Sequence, residues 1–206
     1  MNFQLIQQLE ITDRQSTSLF ETLKQSTQES YQEVEASLPF MSLSCTREQY
    51  REHLVNLLGF YIPLEENINL FVDGKLNLAP FEFSKRSKSL KIISDLVSLG
   101  ATANDLAAIP LCYSIKAINN LPELVGVYYF VERLALTGQI IQRELRSELK
   151  LDDKAISYYA GYGKDTFQMW NKFRFQSESN VTELEKVDAV ISARGALRNF
   201  KLWCNL

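Results

Sequence analysis

One histidine, His53, stands in 206 residues. That scarcity excludes metal centres assembled from several imidazole and carboxylate ligands, the di-iron oxygenase type among them. The cysteines are few, odd in number and far apart: Cys45, Cys112 and Cys204 offer no C-x-x-C spacing for zinc or thiol redox work and read as isolated thiols in a reducing compartment. No N-terminal stretch joins a charged segment to an apolar run, and no run of about 18 uninterrupted apolar residues is present to cross a bilayer. The expectation is a soluble, cytoplasmic protein with no membrane partner. A formal net charge of −3 and a pI near 5.4 leave no electrostatic footprint for nucleic acid. No Gly-rich phosphate loop, Ser/His/Asp set or zinc signature is found. One local basic cluster, Lys85, Arg86, Lys88 and Lys91, could meet an anion; its plainer reading is a solvated loop leading into a helix.

What remains is a chain with 46% hydrophobic residues, enough to bury one sizeable core, and the expectation is a single domain over residues 1–206. Only eight glycines and five prolines punctuate it, and apolar residues recur at three- and four-residue steps, the period of amphipathic helices. The predicted fold class is all-α. A first helix is expected from about Ser16 or Thr17, with Phe20, Leu23, Thr27, Ser30, Tyr31, Val34 and Leu38 on one face, stopped by Pro39. A second starts at Thr46, whose spacing to Gln49 makes a capping box, and should kink or end at Pro63. A shorter helix carries Leu90, Ile93, Leu96 and Leu99 toward Gly100, and 103–120 is expected to be helical but broken at Pro110. The next long helix opens with Pro122 and runs to about Leu149. A helix through Trp170 and Phe173 follows, then a final one capped by Thr182 and bearing Leu184, Val187, Ile191, Leu197 and Phe200.

Several separated segments, in order along the chain, carry a family resemblance. The first is Leu23, Lys24, Thr27, Tyr31 and Glu35; the second is Tyr50, Leu54, Phe60, Tyr61, Pro63, Leu64 and Glu65. Leu90, Asp95, Leu96, Leu99 and Gly100 follow, then Gly126, Tyr129, Val131 and Glu132, and last Tyr162, Gly163, Trp170 and Phe173. Together these resemble the heme oxygenases, and the Gly126 segment resembles the bacterial branch that supplies biliverdin to phytochromes. The resemblance implies the multi-helical heme oxygenase fold. It also implies an ancestral oxygen- and reductant-dependent opening of heme to biliverdin, carbon monoxide and iron, with heme as both cofactor and substrate and an electron donor as partner.

The departures from the family pattern fall where that chemistry would be. Tyr31 stands at the position of the family's iron-binding histidine, with Glu35 one helical turn on. Arg133, Leu134 and Thr137 replace a glycine, a serine and a second glycine of the distal motif, in which the absence of Cβ lets backbone lie close over the heme; Leu136 and Gly138 remain matched. Lys24 keeps a basic position, while Gln28 stands where a second basic residue is common. By resemblance the cofactor-binding set is Lys24, Thr27, Tyr31, Glu35, Tyr129, Arg133, Leu134 and Gly138, with Tyr31 the one candidate metal ligand and no residue assigned a catalytic step. Tyr31 has two readings: a phenolate on iron, or a ring that fills the pocket with its hydroxyl on Glu35 or water. Arg133 either reaches a ligand carboxylate or is satisfied by Glu132, Glu35 or solvent. His53 is expected to be an exposed or half-buried helix residue. The aromatics Tyr128, Tyr129, Phe130, Trp170 and Phe173 read as core, and Asp95 and Glu65 as capping or pairing groups. The functional expectation is a heme oxygenase weak or inactive in turnover; the alternatives are a non-catalytic protein binding a tetrapyrrole or other apolar ligand, or a protein-interaction module.

Overall fold

A computed structural model describes residues 17–38 and 45–206. Among them are seven α-helices and no strand: α1 Leu19–Ser37, α2 Arg47–Val72, α3 Ser89–Ser98, α4 Ala103–Ala107, α5 Leu121–Glu148, α6 Thr166–Asn180 and α7 Lys186–Cys204. Of the expected starts of α1, Ser16 lies outside the described residues and Thr17 stands two residues before the first helical residue, Leu19; the stop expected at Pro39 also lies outside them. Helix starts are set locally and at long range. Ser18 accepts the N–H of Glu21, while the carboxylate of Glu178, from the last turn of α6, accepts the N–H groups of Leu19 and Phe20 at 3.0 Å each, so α1 begins only where α6 ends. Thr46 and Gln49 form the capping box expected for α2, Asn120 caps α5 with Pro122 in its first turn, and a Thr182–Glu185 box leads into α7.

Three expectations are corrected. Pro63, expected to kink or end α2, does not end it: the helix runs through it to Val72. A proline leaves the carbonyl four residues earlier without its helical donor, and here that carbonyl, of Gly59, accepts the N–H of Cys112 at 2.9 Å. Gly59 makes room for this, since a Cβ there would strike the carbonyl of Pro110. The stretch 103–120 is helical only over the five residues of α4. On α3 the buried residues are Ile92, Asp95 and Leu96 while Leu90 is exposed, because the helix turns its Asp95 side toward the segment that follows α5.

The core gathers around α5. Its first half is buried on every side, without a break from Leu124 to Glu132. Against α7 the contact is backbone on backbone: a Cβ at Gly126 would strike the carbonyl of Ala189 and lie 2.9 Å from the nitrogen of Ala193. Only a glycine permits that approach. By length and composition α5 could cross a membrane, but 61% of its most apolar window is buried within the protein, the packing of a core helix. The second half of α5 buries only Gly138, Ile141 and Leu145, over which Ile156–Tyr162 lies as a strap.

Candidate functional site between α1 and α5

Positions 23, 27, 31 and 34 put Leu23, Thr27, Tyr31 and Val34 on one face of α1, and all are buried. From that face Tyr31 reaches α5 directly: its hydroxyl donates to the main-chain carbonyl of Phe130 at 3.1 Å. A carbonyl has two lone pairs, so Phe130 takes this bond beside its place in the helix. The Arg133 guanidinium covers the Tyr31 ring at 5.4 Å from its centroid, and the Tyr129 ring meets it edge-on at 6.3 Å. The Tyr129 hydroxyl faces Thr27 and Arg133, and its ring packs on Phe20 and Trp170. The expected partner of the Tyr31 hydroxyl, Glu35 or water, is thereby replaced by a backbone group. Of the alternatives for Arg133, the Glu132 pair is not formed: Arg133 lies over the Tyr31 ring, while Glu132 pairs with Arg86 and Lys88.

Glu132 anchors a buried charged cluster that the sequence places in a solvated loop. Arg86 Nη1 lies 2.9 Å from Glu132 Oε2 as an ion pair whose angle is too bent for a hydrogen bond, and Lys88 Nζ approaches Oε1 at 3.3 Å. Tyr162 donates to the same Oε1 at 2.6 Å and receives Lys88 at 2.8 Å. Arg86 also donates to the carbonyls of Phe81 and Met169. Burial pulls the Lys88 ammonium down from its ordinary pKa, and Glu132 opposes that shift. Glu65 caps α3 by accepting the N–H groups of Lys88 and Ser89, and Asp95 accepts those of Ser157 at 2.8 Å and Tyr158 at 2.9 Å, so both serve as capping groups.

The strap fills the other side of the distal motif. A Cβ at Gly138 would fall 2.5 Å from the carbonyl of Tyr159, so this glycine admits protein backbone. Leu134 and Gly138 border a void of about 10 Å³, no larger than a single water. His53, expected at or near the surface, is instead 5% exposed and bonded through Nε2 to the Tyr159 hydroxyl at 2.6 Å. Burial lowers its pKa to about 4, which keeps the ring neutral. Lys24 points to solvent, 4.0 Å from Glu21, apart from the other residues of the set. The structure therefore joins Thr27, Tyr31, Tyr129 and Arg133 in one contact, keeps Glu35 close enough to Tyr31 to act on its charge, and places Leu134 and Gly138 under the strap. The carbonyl of Phe130, the Tyr159 backbone and the Arg86–Glu132–Lys88 cluster were not found from sequence; only the charge run at 85–91 hinted at the last.

These residues do not fit a heme held in the family's manner. Burial pushes the Tyr31 phenol well above its ordinary pKa, with Tyr129 adding to the rise and Arg133 opposing it, so the side chain as packed here keeps its proton. The hydroxyl is already committed to Phe130, and Arg133 occupies the ring's face.

The all-helical fold, with Tyr31 of α1 packed against α5, defines a class. The family model for heme oxygenase matches residues 17–205, and the chain belongs to that family. Among solved structures, the heme oxygenase from Leptospira interrogans superposes with a TM-score of 0.74 at 19% identity, covering 92% of this chain and 100% of that one. The NO- and CO-bound heme oxygenase from Neisseria meningitidis gives a TM-score of 0.71 at 18% identity, covering 92% of each chain. At such identities the likeness is one of fold. A search of proteins with curated functions found no match.

Proposed function

We propose that this member of the heme oxygenase family opens heme weakly or not at all, its family site having been converted into a packed contact between α1 and α5. The observation that carries this reading is the Tyr31 hydroxyl donating to the Phe130 carbonyl at 3.1 Å, which closes the space between the two helices. The Arg133 guanidinium over the same ring and the raised phenol pKa support it, since each would have to be undone before Tyr31 could act as a ligand. His53 offers no substitute, since it sits on α2 with its Nε2 bonded to the Tyr159 hydroxyl.

The test is biliverdin formation from hemin with a reductase and NADPH, followed at biliverdin's visible band. Wild type should show no turnover above the protein-free rate, and Tyr31→His with Arg133→Gly should restore turnover by supplying the imidazole and removing the side chain over it. Steady wild-type turnover would sink the reading.

A further inference from the structure

α7 carries a surface that packing among the described residues does not use. Its core face is Ala189, Ala193, Leu197, Phe200 and Cys204. Leu184, just before the helix, and Val187 and Ile191 on it are exposed, Ile191 at 62%, and Leu202 joins them at 68%. Behind this row, between α7, the start of α5 and residues 115–119, lies a cavity of about 480 Å³. Its floor is the core itself, for Phe60, Leu64 and Val127 are 0%, 2% and 7% exposed. The volume falls within the roughly 300–1,000 Å³ of small-molecule sites. A helix laid along α7 would bridge the opening and leave that depth unfilled.

The polar lining divides into two kinds. Ser192 donates to the Glu123 carbonyl at 2.9 Å, Asn199 to the Ser114 carbonyl at 3.1 Å, and Asn119 to the Glu123 carboxylate at 3.1 Å; these hold the walls together. Lys116 and Arg198 line the cavity without an acidic partner among the described residues. The two acids of the lining, Glu123 and Asp188, lie in the first turns of α5 and α7, where the helix N-termini offset their charge. Arg198 stands some ten residues further along α7, about 15 Å away, and also borders an adjoining groove with Arg194 and Lys201. The cavity is thus cationic at one end.

The helical glycines supply an independent sign. A Cβ at Gly59, Gly126 or Gly138 would strike backbone, so each is explained by packing. At Gly195 nothing lies within 4 Å of the Cβ position. Glycine inside a helix costs stability against alanine, and among the described residues no contact offsets it here. Gly195 lines both the cavity and the adjoining groove, leaving bare backbone where they meet.

We infer that this cavity binds an amphipathic anion whose apolar body rests on Phe60, Leu64 and Val127, crosses the bare backbone at Gly195, and presents its carboxylate to Arg198 and Lys116. The site is separate from the α1–α5 contact, and the inference holds whether or not heme is turned over there.

The probe is 8-anilinonaphthalene-1-sulfonate, a flat apolar anion that brightens on leaving water, titrated into the full chain with dodecanoate as competitor. Saturable one-site binding is expected, displaced by dodecanoate, weakened about tenfold in Arg198→Glu and lost in Gly195→Leu. Gly195→Ala should raise Tm by about 2–4 °C while weakening the probe, the signature of a glycine kept for a ligand. Binding unchanged in both Arg198→Glu and Gly195→Leu overturns the proposal. So does a dimer in sedimentation that Gly195→Leu abolishes and dodecanoate leaves intact, since a second copy would then be the occupant. Should Gly195→Leu fail to fold, amide shifts of wild type on adding dodecanoate decide the question: changes gathered at 115–119 and 191–202 support the site, and changes elsewhere overturn it.

Discussion

The two halves of α5 are built on opposite plans. From Leu124 to Glu132 the helix is buried without a break, fused to α7 through Gly126 and pinned at its end by two cations on one carboxylate. From Arg133 onward it is half-buried, touched by single side chains from α1 and covered by the strap. The residues that match the family's distal pattern up to Glu132 lie in the first half, and the departures at Arg133, Leu134 and Thr137 lie in the second. The first half is therefore held from all sides by the core, while the second is held by fewer contacts, those with α1 and the strap.

Substitutions should separate the halves by size of effect. Glu132→Ala strands Arg86 and Lys88 as buried, unpaired cations and should destabilise by about 3–5 kcal/mol in urea unfolding, the largest loss expected on α5. A loss under about 1 kcal/mol there would erase the distinction between the halves.

Acid should act on the second half through the strap. His53 is neutral when folded, its pKa lowered to about 4 by burial. Unfolded, it titrates near 6.5, so between those values the unfolded chain binds the extra proton. Stability should therefore rise with pH from about 4 to 6.5, by about 3 kcal/mol in total from this residue, and fall as pH is lowered through the same window. His53→Gln should flatten the profile there, and amide exchange of Ile156–Tyr162 should quicken in acid before that of Leu124–Glu132. Simultaneous opening of both segments would show that the halves are one unit.

Gly126→Ala comes next, with about 2 kcal/mol lost as α5 and α7 are forced apart, measured by thermal unfolding. Smallest is Tyr31→Phe, which removes one hydrogen bond and keeps the ring; about 1 kcal/mol is expected. If Tyr31→Phe cost more than Gly126→Ala, the α1 contact rather than the α7 contact would be the firmer side of α5.

Much of the fold was legible because its signals are local. Thr46 with Gln49, Pro122 after Asn120 and Thr182 with Glu185 mark helix starts by side chains a few residues apart, and the family's spaced residues run through the same helices. What was not legible depends on distant backbone. Nothing near Pro63 announces that Cys112 will take the carbonyl it frees, and nothing near Tyr31 announces Phe130 as its acceptor. Arg86 and Lys88 read as solvent-facing until Glu132 meets them across the fold, and His53 until Tyr159 does. The sequence marked Tyr31 and Arg133 as the altered positions; that the two lie against each other followed only from the packing of α1 on α5.

The most direct test of the closed α1–α5 contact is an absorbance titration of the purified protein with hemin, run beside Tyr31→Phe. The expected result is no saturable change in the Soret and charge-transfer bands for either chain. A saturable high-spin spectrum of the tyrosinate type in wild type, lost in Tyr31→Phe, would show that Tyr31 leaves Phe130 to bind iron and would contradict the account.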